Sequence, residues 1–140
     1  MTEEDKIKET DSGAMRTFDT GAIRDTSVDK LDYEACLSPL VLKCYAEYVK
    51  SCRVQPDGNI RADDNWQKGF GAAVWMKSKW RHLMTTWSLH RKLLVSVSSA
   101  EEDYVNEEAI IKSLCAEFFN THGMLHEILK GKEENEDKKR

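Results

Sequence analysis

Carboxylates and amides supply the first chemistry in this sequence. The segment from Phe18 to Glu34, FDTGAIRDTSVDKLDYE, holds Asp19, Asp25, Asp29, Asp32 and Glu34 and has no strong strand or helix period. A loop with several carboxylates suits Mg²⁺, a hard cation that takes oxygen ligands and keeps part of its water. An ordinary acidic surface loop has the same composition. Further along, Glu47 lies on the edge of a helical seam, and Glu117 shares a helical turn with Asn120. Side-chain oxygens projected from facing helices recur as holders of divalent metals, and solvated glutamates fit the same spacing.

The cations form a second group. Lys77, Arg81 and His82 stand at i, i+4 and i+5 along the flank of an amphipathic stretch, a row suited to an anionic ligand or simply to solvent. In Asp64-Asn65-Trp66-Gln67-Lys68-Gly69 an indole sits among amides and a lysine. Such a ring stacks on and reads a nucleobase, or it anchors its loop to a core. His122 and His126 have the i, i+4 spacing of a metal pair, but the chain has no HExxH motif and His122 falls in an apolar stripe, so packed histidines are expected. Cys36, Cys44, Cys52 and Cys115 form no CxxC pair, and Cys44 and Cys115 read as small buried hydrophobes. Asp19-Thr20-Gly21-Ala22 resembles the active-site motif of retroviral-type aspartic proteases, but the strands that fold requires are missing around it.

Helices must position these groups. Ser38 is a good N-cap and Pro39 suits the first helical position, so a helix is predicted to about Ser51, with Val41, Cys44, Tyr45, Tyr48 and Cys52 as its seam. Gln55-Pro56-Asp57-Gly58-Asn59 is a strong turn signal. From Gly71 to Leu94 no proline or internal glycine intervenes, and Met76, Trp80, Leu83, Trp87 and Leu94 make one stripe. This is the helix the other segments are expected to pack against. A third helix is predicted from about Asn106 to Lys130, with Ile111, Leu114, Phe118, His122, Leu125 and Leu129 as its stripe and Val95 to Asp103 as the preceding linker. Gly123 inside it costs roughly 1 kcal/mol against alanine, which points to close packing there.

The expected architecture is a single all-α domain, a helical bundle with an irregular N-terminal segment spanning residues 16–130. Charged, disordered tails are expected at 1–15 and 131–140. Three helices bury only a thin core, and oligomerisation would supply the rest. The chain has 140 residues, with 25 acidic against 21 basic, which argues against general nucleic-acid binding. No apolar run is long enough to span a bilayer, and MTEEDKIKETDSGAMR lacks the apolar core of a signal peptide. A reducing cytoplasm is the expected compartment.

Taken together, RTFDTGAIRDTSVDKLDYEACLSPLVLKCYAEYV, DDNWQKG, WMKSKWRH and FNTHGMLHE resemble the phage dATP/dGTP diphosphohydrolase (MazZ-like) family, relatives of the all-α MazG-like nucleoside triphosphate pyrophosphohydrolases. The resemblance covers roughly Arg16 to Lys130. It implies cleavage of a purine deoxynucleoside triphosphate, dGTP or dATP, to the monophosphate and pyrophosphate. It also implies Mg²⁺ or Mn²⁺ on helical carboxylates, a homodimer or homotetramer, and the host cytoplasm if the chain is phage-encoded. Carried onto this sequence, Asp32, Glu34, Glu47 and Glu117 are the expected metal ligands, with Glu47 and Glu34 catalytic. Lys77, Arg81 and His82 would face the phosphates, and Asn65 and Trp66 the base. MazG-like enzymes pair acidic motifs ExxE and ExxD on consecutive helices. Here Glu47 has no such partner and Asn120 stands where aspartate is expected, so the metal shell must draw on the Asp32/Glu34 segment or on Glu107 and Glu108. The alternatives are a non-catalytic helical module that binds a nucleotide or a protein, and a housecleaning pyrophosphatase for dUTP or other non-standard nucleotides.

Overall fold

The computed structural model describes residues 13–91 and 100–140, with side chains from 107 onward in the second stretch. Residues 1–12 of the expected tail, and Leu94 and Val95–Ser99 of the central helix and linker, lie outside the described residues. The described chain is mostly helical and divides into two compact units, one up to Leu37 and one from Ser38 onward.

The N-terminal unit, expected to be irregular, holds a small two-stranded sheet. Strands β1 (Met15–Thr17) and β2 (Ile23–Asp25) pair antiparallel, with Arg16 opposite Arg24. The Asp19-Thr20-Gly21-Ala22 motif is their connection. Gly21 takes a φ of 83° and donates to the Phe18 carbonyl at 2.8 Å, while Phe18 N–H closes the loop on Ala22 at 2.9 Å. Three-residue strands are too short for a period of two to register in the sequence, which is why this segment reads as irregular. Lys30 pairs with Asp25 at 3.0 Å. A single helical turn, α1 (Tyr33–Cys36), follows, with Asp32 Oδ1 accepting from Ala35 N–H at 3.0 Å.

In the second unit, α2 (Pro39–Ser51) begins as its sequence dictates, with Ser38 Oγ accepting from Val41 N–H. The Gln55–Asn59 turn closes with Gly58 at a φ of 85° and pairs Val54 with Ile60 across it. A 3-10 turn, Asn65–Lys68, leads into α3 (Ala72–His90), and α4 runs from Ala100 to Lys139.

The helix at the centre is α4, not α3 as expected: α2, α3 and the 3-10 turn all pack on it. It also starts earlier and ends later than predicted. Residues 100–103 of the expected linker and 131–139 of the expected tail are helical. The C-terminal stretch has no proline, is rich in Glu and Lys, and extends a helix already nucleated, which needs one hydrogen bond per residue rather than a new nucleus.

The inward face of α3 is also different from the expected stripe. Trp75, Lys79, His82, Thr86 and Leu89, spaced 4, 3, 4 and 3, are buried or half-buried. Met76, Trp80, Leu83 and Trp87 are on the outside, with Trp80 at 59% exposure. Fit decides the rotation. The Trp75 indole, 1% exposed, lies flat on Gly123 of α4, where a Cβ would overlap three of its ring carbons. Phe70 and Phe119 close round it at centroid distances of 4.8 and 5.4 Å. Farther along, Thr86 Oγ1 meets Ser113 Oγ at 2.8 Å and Glu117 Oε2 at 2.6 Å. The buried face of α4 is accordingly small and polar, Ser113, Cys115, Ala116, Asn120 and Gly123, while Ile111, Leu114, Phe118, Leu125 and Leu129 of its expected stripe keep 40–53% of their surface.

Candidate functional site

Two cavities open on either side of Tyr48, a half-buried residue of α2 that lines both. The first, of about 430 Å³, lies between α2 and α4, and its acidic wall is Glu47, Glu107 and Glu108. Lys112 stands among them, and Cys44 and Cys115 form the floor with their sulfurs 3.8 Å apart. Both outer glutamates are turned toward lysines one turn away on their own helices: Glu47 to Lys43 at 3.8 Å and Glu108 to Lys112 at 3.2 Å. Burial pushes the Tyr48 phenol up to about 12 and the Cys115 thiol, beside Cys44, up to about 11. Both are therefore neutral near pH 7.

The second cavity, of about 310 Å³, has aromatic walls from Trp66, Phe70 and Phe119 and a polar edge from Arg53, Arg61, Asp63 and Asn65. The turn after α2 builds this edge by folding Arg61 back beside Arg53. Arg53 Nε donates to the Arg61 carbonyl at 2.7 Å, Arg61 Nη1 donates to the Cys52 carbonyl at 2.8 Å, and Arg53 Nη1 lies 2.9 Å from Asp63 Oδ1. Trp66 is held from behind by the histidine pair, edge-on to His122 and His126 at 4.9 and 4.8 Å. The His122–His126 spacing therefore serves to seat an indole. Burial and the neighbouring His126 keep His122 below the ordinary imidazole range, and His126 Nε2 is buried without a hydrogen-bond partner among the described residues. Beneath the same loop, Glu127 Oε1 accepts from Phe70 N–H at 2.8 Å. Its carboxyl is held below the usual range, first by the Trp75 indole N–H and then by Phe70 N–H. Among the described residues Trp75 Nε1 completes no full hydrogen bond of its own, so its pull on Glu127 is electrostatic.

The expected site residues fall in several places. Glu47 lines the first cavity, with Glu107 and Glu108 from the facing helix; Asn65 and Trp66 line the second. Glu117 is half-buried and accepts the Thr86 hydroxyl. Lys77 and Arg81 are exposed on α3, His82 is half-buried, and none of the three lines either cavity. Asp32 and Glu34 belong to the N-terminal unit, where Asp32 caps α1 and Glu34 sits exposed in its first turn. Among the described residues no three histidine, cysteine or carboxylate groups converge closely enough to hold a metal ion. No helix among them is long and apolar enough to cross a membrane. Sequence reasoning missed Arg53, Asp63 and Phe119. The signal for Arg53 was available, since Arg53 and Arg61 bracket a turn that must bring their ends together.

Comparison of the chain with family models, with curated proteins and with solved structures gives no match.

Proposed function

We infer that this chain is a metal-dependent diphosphohydrolase that cleaves a purine deoxynucleoside triphosphate, dGTP or dATP, to the monophosphate and pyrophosphate. The observation that carries the reading is the placement of Tyr48 between an acidic cavity and an aromatic one. A nucleotide needs both, a planar recess for its base and, next to it, a charged chamber for its phosphates. The residues quoted above for the MazZ-like resemblance supply the reaction type.

The donor set fits Mg²⁺ or Mn²⁺ in kind, being carboxylate oxygens. Glu47, Glu107 and Glu108 would hold such an ion, Glu47 and Glu108 first releasing Lys43 and Lys112. When bound, it would neutralise phosphate charge and lower the pKa of a coordinated water. Lys112 would stand beside the phosphates, and Trp66 and Asn65 beside the base. The exposed row Met76, Trp80, Leu83 and Trp87 supports assembly as a homodimer or homotetramer, because so contiguous an apolar face is uncommon on a monomer. Glu117 is tied to Thr86, and Lys77 and Arg81 lie on α3 outside both cavities, so in this reading they give way to Glu107, Glu108 and Lys112.

The test is pyrophosphate release from dATP, dGTP, dCTP, dTTP and dUTP with Mn²⁺ and with chelator. Metal-dependent release from the purines is expected, falling at least about a hundredfold in Glu47→Gln, since losing only an outer-shell partner costs 10–100-fold. No release from any nucleotide sinks the enzymatic reading, and undiminished release in Glu47→Gln sinks the assignment of the acidic cavity. One observation favours a second reading, a nucleotide-binding module without turnover: the described carboxylates do not converge. That module would bind nucleotide in the aromatic cavity and release no pyrophosphate.

A further inference from the structure

On the floor of the acidic cavity two thiols meet that play no part in the chemistry above. Cys44 of α2 and Cys115 of α4 are 71 residues apart in the chain, yet their sulfurs lie 3.8 Å from each other across the helix pair. Cys44 is half-buried, Cys115 is 9% exposed, and both line the cavity of about 430 Å³. Packing as small hydrophobes accounts for the contact. The open chamber beside it adds access for a small solute. A disulfide bond is about 2.05 Å long, so the sulfurs need to approach by only about 1.8 Å. Helix α2 can give that distance, since none of its residues is fully buried and it packs on α4 less extensively than α3 does. The remaining cysteines are placed differently: Cys36 belongs to the N-terminal unit, and Cys52 is exposed at the end of α2.

We propose that Cys44 and Cys115 form a reversible clasp, closed to a disulfide by hydrogen peroxide entering the acidic cavity, and that the closed clasp fixes α2 on α4. The cavity selects the oxidant. An uncharged peroxide passes Glu47, Glu107 and Glu108, whereas a bulky anionic disulfide is repelled. The Cys44 thiolate attacks one peroxide oxygen and the O–O bond breaks. The departing hydroxide takes up the thiol's proton as water, which leaves Cys44 as the sulfenic acid. The Cys115 sulfur then attacks the Cys44 sulfur, the S–S bond forms, the S–O bond breaks, and the hydroxyl leaves with the Cys115 proton as a second water. The pair is oxidised by two electrons, and one peroxide is reduced to two waters. Burial raises the Cys115 thiol to about 11, so the first step belongs to Cys44 and Cys115 resolves it. A dithiol reductant reopens the clasp.

Peptide mapping of the full chain under non-reducing conditions tests this, because trypsin leaves each cysteine in a different peptide. Cleavage after Lys43, Lys50, Lys112 and Lys130 puts Cys44 in residues 44–50 and Cys115 in residues 113–130. Stoichiometric hydrogen peroxide should join these peptides, with the mass of two hydrogens lost, and dithiothreitol should separate them. The joined chain should unfold at a higher urea midpoint, and its α2 amides should exchange with deuterium about tenfold or more slowly, the cross-linked loop being long. In Cys44→Ala, peroxide should leave Cys115 a thiol and should not move the midpoint. The double variant Cys36→Ser, Cys52→Ser keeps the pair and should respond as the wild-type chain does. No joined peptide, pairing of either cysteine with Cys36 or Cys52, oxidation of Cys115 in Cys44→Ala, or a joined chain whose α2 exchanges as before overturns the inference. None of these readouts involves nucleotide, so the clasp and the diphosphohydrolase stand or fall separately.

Discussion

Replacing Gly123 with alanine sets two well-characterised effects against each other, and the structure decides which wins. Alanine in a helix interior is favoured over glycine by about 1 kcal/mol. On propensity alone, Gly123→Ala should therefore stabilise the chain. At this position, however, the new methyl would enter the van der Waals envelope of three Trp75 ring carbons, and Trp75 is 1% exposed. The indole cannot swing aside cheaply, since Phe70 and Phe119 close its other sides. Overpacking of a filled core costs about 1–3 kcal/mol, and overlap with a rigid bicycle belongs at the upper end. The net expectation is a loss of about 2 kcal/mol. Gly131 supplies the control: it lies in the same helix and an added Cβ there would meet nothing within 4 Å. Gly131→Ala should gain up to about 1 kcal/mol. Urea unfolding followed by circular dichroism reads both variants. If Gly123→Ala is as stable as Gly131→Ala, the indole is not seated on Gly123 and the α3–α4 packing is wrong.

Glu127→Gln should cost about 1 kcal/mol at neutral pH, as its hydrogen bond from Phe70 N–H loses charge. Because the folded state lowers the Glu127 pKa, the difference is present above the carboxyl's unfolded value near 4.3 and fades as pH falls through the folded value; urea midpoints at pH 7 and pH 3 check this. On the proposed assembly, Trp80→Glu and Trp87→Glu, on the exposed row of α3, should preserve helicity and reduce the molar mass in sedimentation to that of a single chain. An unchanged assembly would remove that row from the interface.

Local chemistry was legible where one residue type does one job. Ser38 and Pro39 start α2, Gly58 turns the chain after it, and Gly123 marks a close approach. Rotation was not legible. Periodicity selects the most apolar stripe of α3, Met76 to Trp87, but the buried face is set by an indole fitting a glycine and by Thr86 meeting Ser113 and Glu117. Those are three-dimensional matches between segments about 30 to 50 residues apart. The candidate site divides in the same way. Asn65, Trp66 and Glu47 stand out by type and neighbourhood, whereas Glu107 and Glu108 reach the cavity only because α4 lies along α2.

The seating of Trp66 has an optical consequence. Its indole touches two imidazoles on one side and borders the aromatic cavity on another. A protonated imidazole draws the excited-state electron of an adjacent indole, so the emission of Trp66 should dim as His122 takes up a proton. A base sliding into the cavity would alter the same emission from the opposite side. Of the other three tryptophans, Trp75 is sealed in the core and Trp80 and Trp87 lie on the outer surface of α3, where neither event reaches them. The chain thus carries a chromophore at the wall of its own recess, and occupancy can be followed by light without attaching a label.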